Sequence, residues 1–305
     1  MLLKEFLEHK HLKTFNTSIF KKLNIGMPNM KKMKELDLNP IEINTPRANR
    51  YKKLIKLSKI PGFKYLFNRW MDITHSNGSA IPINVSLGTY EDKVLPLIVT
   101  EHFIKKASHI VLMDCGCRVA NDCQNHDFHL GCTWLGEATK RIDLEKWKTH
   151  NAHVGTVEEA LVRERLAYEN GLVPHLGRLK GDSIRYGALP DEGHFMSLCH
   201  CCSCCCILST MKYGSSDLKK IITKMEGVEV EVNKEMCVAC GSCFKVCIYD
   251  AMKLIDGKAF IDPNECKGCG RCERECPNDA ISIRIDDYSR INELISRIES
   301  YVDVT

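Results

Sequence analysis

The spacing of apolar residues changes several times along the chain, and each change predicts a different element. Residues 94–106 have helical spacing, and the apolar run at residues 109–113 predicts a short strand. Thr156 and Glu159 form a capping-box start, because their side chains satisfy free amides of a first helical turn. A helix is therefore predicted over residues 157–170, with Gly171 at its C-terminal end.

Strict alternation between apolar and polar residues marks two later segments, residues 228–232 and 281–285. This period predicts the two strands of a short antiparallel sheet. The tail has helical spacing instead, with one apolar face that consists of Ile291, Leu294, Ile295 and Ile298. We expect this amphipathic helix to pack on its own protein rather than on a partner helix.

The N-terminal part of the chain differs from the rest in charge. Residues 1–70 contain 16 Lys and Arg against 5 Asp and Glu, whereas residues 71–305 contain 27 against 34. Prolines interrupt its helical patches, so an irregular helical arm is predicted. The basic balance makes an anionic partner a candidate, and a solvated arm packed on the acidic remainder is the alternative.

Two further features concern the compartment. The longest apolar runs are far shorter than the roughly 18 residues that cross a bilayer, so no transmembrane segment is expected. The first residues, MLLKEFLEHKH, lack the apolar stretch of an export signal. We therefore predict a cytoplasmic protein whose thiols are reduced.

Cysteine is the most unusual part of the composition, with 18 residues in a chain of 305. Close neighbours in sequence are hard to pair in good disulfide geometry, so clumping favours metal binding over disulfides. The cysteines form four clumps: Cys115, Cys117, Cys123 and Cys132; Cys199, Cys201, Cys202, Cys204, Cys205 and Cys206; Cys237, Cys240, Cys243 and Cys247; and Cys266, Cys269, Cys272 and Cys276.

The last two clumps are an internal repeat, because each cysteine of the third clump recurs 29 residues later. Both have the spacing C-x2-C-x2-C-x3-C, in which the fourth thiolate ligates the other cluster of the pair. Zinc sites more often combine two C-x2-C pairs across a long spacer, so iron–sulfur cubanes fit better. The repeat resembles a two-cluster ferredoxin domain. It predicts two [4Fe-4S] clusters, one held by Cys237, Cys240, Cys243 and Cys276, the other by Cys247, Cys266, Cys269 and Cys272.

The two halves of the repeat differ at one position. Pro277 follows the last cysteine as the ferredoxin motif expects, whereas Ile248 occupies the equivalent place in the first half. This difference concerns the local turn and leaves the predicted ligand set unchanged.

The first two clumps are a candidate third metal site of ten cysteines. A cluster built from both clumps is the preferred interpretation, and a zinc site or dithiol chemistry is the alternative. Arg118, which follows Cys117, is a candidate counter-charge for such a site. An extended backbone through the second clump would place Cys202, Cys204 and Cys206 on one side and Cys199, Cys201 and Cys205 on the other.

A wider resemblance covers roughly residues 75–285. The order of motifs is similar to that of a family of archaeal and bacterial iron–sulfur proteins of the 4Fe-4S ferredoxin type. The resemblance implies redox work with clusters and brings no named reaction. Its motifs are Ser79-Ala80-Ile81-Pro82, Cys115-Gly116-Cys117-Arg118, Gly131-Cys132, Leu135-Gly136-Glu137, the segment 169–178, the run 199–206 and the ferredoxin pair.

Together these features predict an α+β multi-domain protein. Its four parts are a basic, mainly helical arm at 1–80, a cysteine-rich α/β domain at 81–215, a two-cluster ferredoxin domain at 216–286 with short antiparallel strands, and a C-terminal helix at 287–305. The chain has no convincing Gly-rich dinucleotide fingerprint or P-loop, so nucleotide binding lacks support.

Three functions remain open from sequence. The first is an electron-transfer protein that serves a redox partner or an additional N-terminal site. The second is a reductase with its own centre in the Cys115–Cys206 region, and no catalytic residue can be assigned to it. The third is a redox or metal sensor, ranked last because the arm has few aromatic residues placed to stack on nucleic-acid bases.

Overall fold

The computed structural model describes residues 45–83 and 95–305, apart from the side chain of Arg47. They belong to one compact unit, Leu38–Thr305, of mixed α/β structure. Residues 1–44, most of the predicted basic arm, lie outside the described residues, together with 8 of the 16 Lys and Arg of residues 1–70.

The helices are α1 (Pro46–Leu57), α2 (Pro61–Trp70), α3 (Leu95–Lys106), α4 (Gly116–Ala120), α5 (Val157–Glu169), α6 (Lys180–Tyr186), α7 (Ser216–Lys220), α8 (Ser242–Val246), α9 (Arg271–Arg274) and α10 (Arg290–Glu299). Short 3-10 helices cover Ile73–His75, Glu137–Arg141, Lys148–His150 and Ile207–Tyr213. No helix in the described ranges is both long and apolar enough to span a bilayer.

The strands are β1 (Asn77–Ala80), β2 (Ile110–Met113), β3 (Cys132–Leu135), β4 (His153–Val154), β5 (Val173–Arg178), β6 (Met196–Cys201), β7 (Ile222–Thr223), β8 (Val228–Val232), β9 (Met252–Ile255), β10 (Lys258–Ile261) and β11 (Ile281–Ile285). Seven of them form one sheet in the order β4-β2-β3-β6-β5-β1-β7. Only β1 and β7 pair in parallel there, and the other neighbours are antiparallel.

Local sequence explains where the helices begin. Pro46 and Pro61 occupy first helical positions, where the missing N–H costs nothing and the fixed φ suits a helix. The side chain of Thr156 accepts a hydrogen bond from the backbone N–H of Glu159 at 3.1 Å, as a capping box requires. The helices predicted at 94–106 and 157–170 are thereby confirmed to within one residue.

Strands from three predicted domains meet in the large sheet. β1 belongs to the segment predicted as the arm, and β7 to the segment predicted as the ferredoxin domain. Gly177 of β5 makes the β1 contact possible, because a Cβ there would lie 2.1 Å from the carbonyl oxygen of Asn77. The domain boundaries drawn from sequence remain predictions.

The C-terminal helix closes the main core. Its apolar face, Ile291, Leu294 and Ile298, is buried among side chains of α3 and the sheet. The expectation that this helix packs on its own protein is confirmed.

The repeat region adds two small sheets. β8 and β11 pair antiparallel, with Ile281 opposite Val232 and Ile285 opposite Val228, so the predicted strand pair is confirmed. β9 and β10 form a hairpin between the two halves of the repeat. Asp256 and Gly257 both have positive φ at its turn, which is the conformation that tight hairpins favour.

Leu294→Ala tests the docking of α10. The side chain is fully buried, so its removal leaves a cavity, and we expect the free energy of unfolding to fall by about 2–5 kcal/mol. Chemical denaturation, monitored by circular dichroism, measures this free energy of unfolding. Asn292→Ala, on the exposed face of the same helix, should change it by less than about 0.5 kcal/mol. Equal effects would show that α10 does not pack as described.

Candidate functional site

The first group of ferredoxin cysteines surrounds a small cavity of about 20 Å³. Gly241, with φ of 81°, turns the backbone into α8, which carries the third cysteine. Burial raises the pKa of Cys243 to about 11, and the neighbouring Cys240 adds to the shift. The four cysteines at this cavity are Cys237, Cys240, Cys243 and Cys276.

The second group repeats this arrangement. Gly270, with φ of 83°, precedes α9, which carries Cys272. Burial raises the pKa of Cys266 to about 11, and the neighbouring thiols of Cys269 and Cys247 raise it further. Cys247, Cys266, Cys269 and Cys272 therefore lie close enough for their charges to interact.

Backbone amides point at sulfur in both groups. The N–H groups of Ala259 and Ala280 donate to Cys237 and Cys276 at 3.5 and 3.3 Å. In the second group, the N–H groups of Ala251 and Gly268 donate to Cys247 and Cys266, both at 3.4 Å. Donors of this kind stabilise thiolates, and hydrogen bonds to sulfur help set cluster potentials.

These groups fit the cubane clusters that the spacing predicts. Four thiols surround a cavity at the first group, and amide donors face sulfur in both. Each group draws three cysteines from one half of the repeat and the fourth from the other half, which is the arrangement expected of a two-cluster ferredoxin.

The two groups differ in their exposure. Cys240 of the first group is exposed, and the neighbouring Val238 and Met236 are 63% and 44% exposed. The second group faces the main sheet, where the N–H of Ile83 donates to the carbonyl oxygen of Cys269 at 3.3 Å. Ile248, the departure from the ferredoxin motif, is buried in this contact.

The other ten cysteines separate into two sets. The first set consists of four thiols from both clumps whose sulfur atoms all lie within 4.8 Å of one another. Hydrogen bonds from the other three thiols, Cys202 first, hold the pKa of Cys123 well below its ordinary value. We call this set the four-thiol group: Cys123, Cys202, Cys204 and Cys205.

The second set lines a cavity of about 530 Å³, a size typical of ligand-binding sites. We call this cavity the chamber. The sulfurs of Cys201 and Cys206 are 3.1 Å apart, and those of Cys132 and Cys199 are 3.9 Å apart. Cys202 of the four-thiol group also lines this cavity. The other thiols of its lining, which we call the chamber thiols, are Cys115, Cys117, Cys132, Cys199, Cys201 and Cys206.

The chamber's opposite wall is apolar. It includes Leu54 and Ile55 of α1 and Phe67 and Trp70 of α2. The segment predicted as part of a basic arm therefore supplies a wall of the chamber. Sequence offered no signal for this role, because it depends on contacts between segments at least 45 residues apart.

The run of cysteines at 199–206 does not remain extended. β6 ends at Cys201, and residues 203–205 form a turn. The predicted alternation along the run is therefore wrong beyond Cys201. The turn is what brings Cys202, Cys204 and Cys205 together in one group.

Arg118 lies between the two sets of thiols and is completely buried. Its guanidinium donates to the carbonyl oxygens of His200, at 2.8 Å, and Leu130. Burial opposes its charge, but thiols of both sets, among them Cys115 and Cys202, raise its pKa above the ordinary value. The counter-charge predicted for Arg118 is in a suitable place.

Like Arg118, Arg271 lies between two groups of thiols. On one side is the chamber, and on the other is the ferredoxin unit, the segment 216–286 predicted as the ferredoxin domain. Arg271 lies in α9 and is buried, and it donates to the carbonyl oxygen of Cys201 at 2.6 Å. Burial opposes its charge, whereas Cys269 on one side and Cys201 and Cys206 on the other raise its pKa. This residue was not predicted from the sequence, although a basic residue between two predicted ligands was a usable signal.

Two buried histidines flank the chamber. Nδ1 of His200 donates to the carbonyl oxygen of Gly131, and its Nε2 pairs with Glu164 at 2.6 Å, so this pair holds a proton beside Arg118. Burial lowers the pKa of His175 to about 3, so the ring is neutral. Its Nδ1 donates to Val173, and Tyr249 of the ferredoxin unit donates to its Nε2.

Comparison with known proteins agrees with the geometry of the repeat. The 4Fe-4S binding domain family matches the chain twice, at residues 230–253 and 259–282. Neither the curated proteins nor the solved structures provide a match. The C-terminal part is therefore a ferredoxin-type iron–sulfur region, and its two matches support 4Fe-4S clusters and electron transfer. The wider resemblance over 75–285 stays a prediction.

Proposed function

We propose that this protein is an electron-transfer protein whose ferredoxin unit connects an external redox partner with the cysteine-lined chamber of the same chain. The two ligand sets would each hold one [4Fe-4S] cluster, which supplies single-electron transfer when bound. The observation that carries the proposal is the different surroundings of the two sets, since Cys240 of the first set is exposed whereas Cys269 of the second set accepts a hydrogen bond from Ile83 at the main sheet.

The buried end of the ferredoxin unit supports this arrangement. Arg271 interacts with Cys269 and with the chamber thiols Cys201 and Cys206, so one cation serves both sites. Tyr249, two residues after Cys247, donates a hydrogen bond to His175 in the chamber wall. Two polar links therefore run from the ferredoxin unit to the chamber.

The exposed end suits a protein partner. Val238 and Met236 provide an apolar surface beside Cys240, and redox encounters use small interfaces of this kind. A partner that docks here reaches the first ligand set without contacting the chamber.

Cysteine substitutions test the ligand sets. Cys276→Ser should alter the same electron paramagnetic resonance signal of the dithionite-reduced protein as Cys237→Ser, because both residues line one cavity. Cys247→Ser should alter the signal that Cys266→Ser alters. If Cys276→Ser altered the same signal as Cys266→Ser instead, the proposed ligand sets would be wrong. In the anaerobically purified wild-type protein, the ferredoxin unit should account for about eight irons and as many acid-labile sulfides.

A charge at the exposed end tests the docking surface. Val238→Lys should slow the oxidation of the reduced protein by cytochrome c about tenfold, because the new cation repels this basic acceptor and disrupts the apolar contact. Stopped-flow absorbance measures the rate. Val162→Lys on α5 changes the net charge equally, at a side chain that is 57% exposed, and should leave the rate within about twofold. Equal slowing by both variants would show that electrons leave elsewhere.

A reductase is the second candidate, and the chamber favours it. The cavity is large enough for a small substrate, and the Cys201 and Cys206 sulfurs are 3.1 Å apart beside Arg271. A disulfide between them would be reduced to two thiols by two electrons and two protons. The chamber would then store electrons that arrive singly.

Reductive titration separates the two candidates. Starting from the air-oxidised protein, two clusters take up one electron each, and a Cys201–Cys206 disulfide takes up two more. A reductase should therefore take up about four electrons per chain by coulometry, and Cys206→Ser should take up about two. Cys117→Ser, also in the chamber, should match the wild type. Uptake of two electrons by the wild type would remove the dithiol reductase and leave electron transfer.

A further inference from the structure

The four-thiol group has a geometry different from that of the ferredoxin ligand sets. We propose that Cys123, Cys202, Cys204 and Cys205 bind a single zinc ion in a tetrahedral structural site. This site adjoins the chamber, which Cys202 also lines, and it shares no ligand with the two proposed clusters.

Sulfur-to-sulfur distance is the first argument. Zinc–thiolate bonds of about 2.3 Å in a tetrahedron put the four sulfurs about 3.8 Å apart. The sulfurs of Cys123 and Cys204 are 3.7 Å apart, and all four lie within 4.8 Å of one another. The group therefore has the dimensions of a site for one ion.

A cubane requires a wider arrangement. It places each thiolate on a different iron, so the ligands surround a body of eight atoms. The ferredoxin cysteines show this wider arrangement, because the first set surrounds a cavity and, within the described ranges, none of its sulfurs forms a sulfur–sulfur hydrogen bond with another. The same molecule thus contains both geometries, and the four-thiol group has the compact one.

The ligand count indicates a structural role. Four protein thiolates complete a tetrahedron and leave no open position for substrate, as in structural zinc sites closed by four cysteines. One ligand comes from the loop after α4 and three come from the turn after β6, so the ion would join two segments about 80 residues apart in sequence.

The surroundings of the four-thiol group favour thiolates whose negative charge is paired with a cation. Cys202 and Cys205 are buried against Leu130, Ala167 and Leu172, an apolar environment in which unpaired thiolates would be costly. A zinc ion with four thiolate ligands has a net charge of about −2, and Arg118 lies beside Cys202 to offset part of it. The site would fix both ends of the turn, next to the chamber residues Cys201 and Cys206.

Metal analysis of the wild-type protein is the primary test, because it needs no substitution. Elemental analysis should find about one zinc per chain in addition to the cluster iron, and zinc X-ray absorption should show four sulfurs at about 2.3 Å. Twelve irons with twelve sulfides and no zinc would overturn the proposal in favour of a third cluster. A ninth iron without added sulfide would overturn zinc as the occupant. The iron and sulfide of the ferredoxin unit are counted separately, so either proposal can fail alone.

Variants then assign the ion to its ligands. Cys204→Ala should lower the zinc content to below about a tenth while the reduced-cluster resonance signals persist. Ser203→Ala, in the same turn but outside the ligand set, should retain the zinc. The assignment would be overturned if Cys204→Ala retained its zinc. It would also be overturned if Ser203→Ala lost both its zinc and the four-sulfur absorption signature. Because the wild-type measurement stands alone, a variant that fails to fold leaves the test intact.

Discussion

The structure depends on how a chain can crowd eighteen thiols into a small volume without leaving their charge unpaired. Thiolates that lie together in a low-dielectric interior repel one another and lose hydration, so they persist only beside cations. Two guanidinium groups, those of Arg118 and Arg271, are fully or almost fully buried among the thiols. Each retains a buried N–H group with no hydrogen-bond partner among the described residues.

These two arginines also define the organisation of the site. Arg118 interacts with Cys202 of the four-thiol group and with chamber thiols, and Arg271 interacts with chamber thiols and with Cys269 of the ferredoxin unit. Both are anchored by backbone carbonyls rather than by carboxylates, so their positive charge remains available to sulfur. Three kinds of cysteine site thus lie side by side with a fixed cation at each boundary.

Sequence was sufficient where the chemistry is local. The spacing of the repeat indicated a ferredoxin-type region, which the family matches support, and the alternation at 228–232 and 281–285 predicted a strand pair that the structure contains. The cysteines at 199–206 could not be divided in this way, because the division depends on the end of β6 at Cys201. Nor could the chamber be predicted, since its wall comes from α1 and α2 and its thiols from residues at least 45 positions later in the chain.

Gly131 shows how closely the backbone controls this division. A Cβ at this position would lie 2.0 Å from the carbonyl oxygen of Met113 and 2.4 Å from the nitrogen of Cys115, so only glycine allows the two segments to touch. The contact places Cys132 beside Cys115, and the carbonyl of Gly131 accepts the hydrogen bond from His200. His200 in turn separates Cys199 from Cys201 on β6, and with Glu164 it retains a proton at the chamber's edge. A reduction in the chamber would need protons as well as electrons, and the backbone that arranges the thiols also positions this proton next to them.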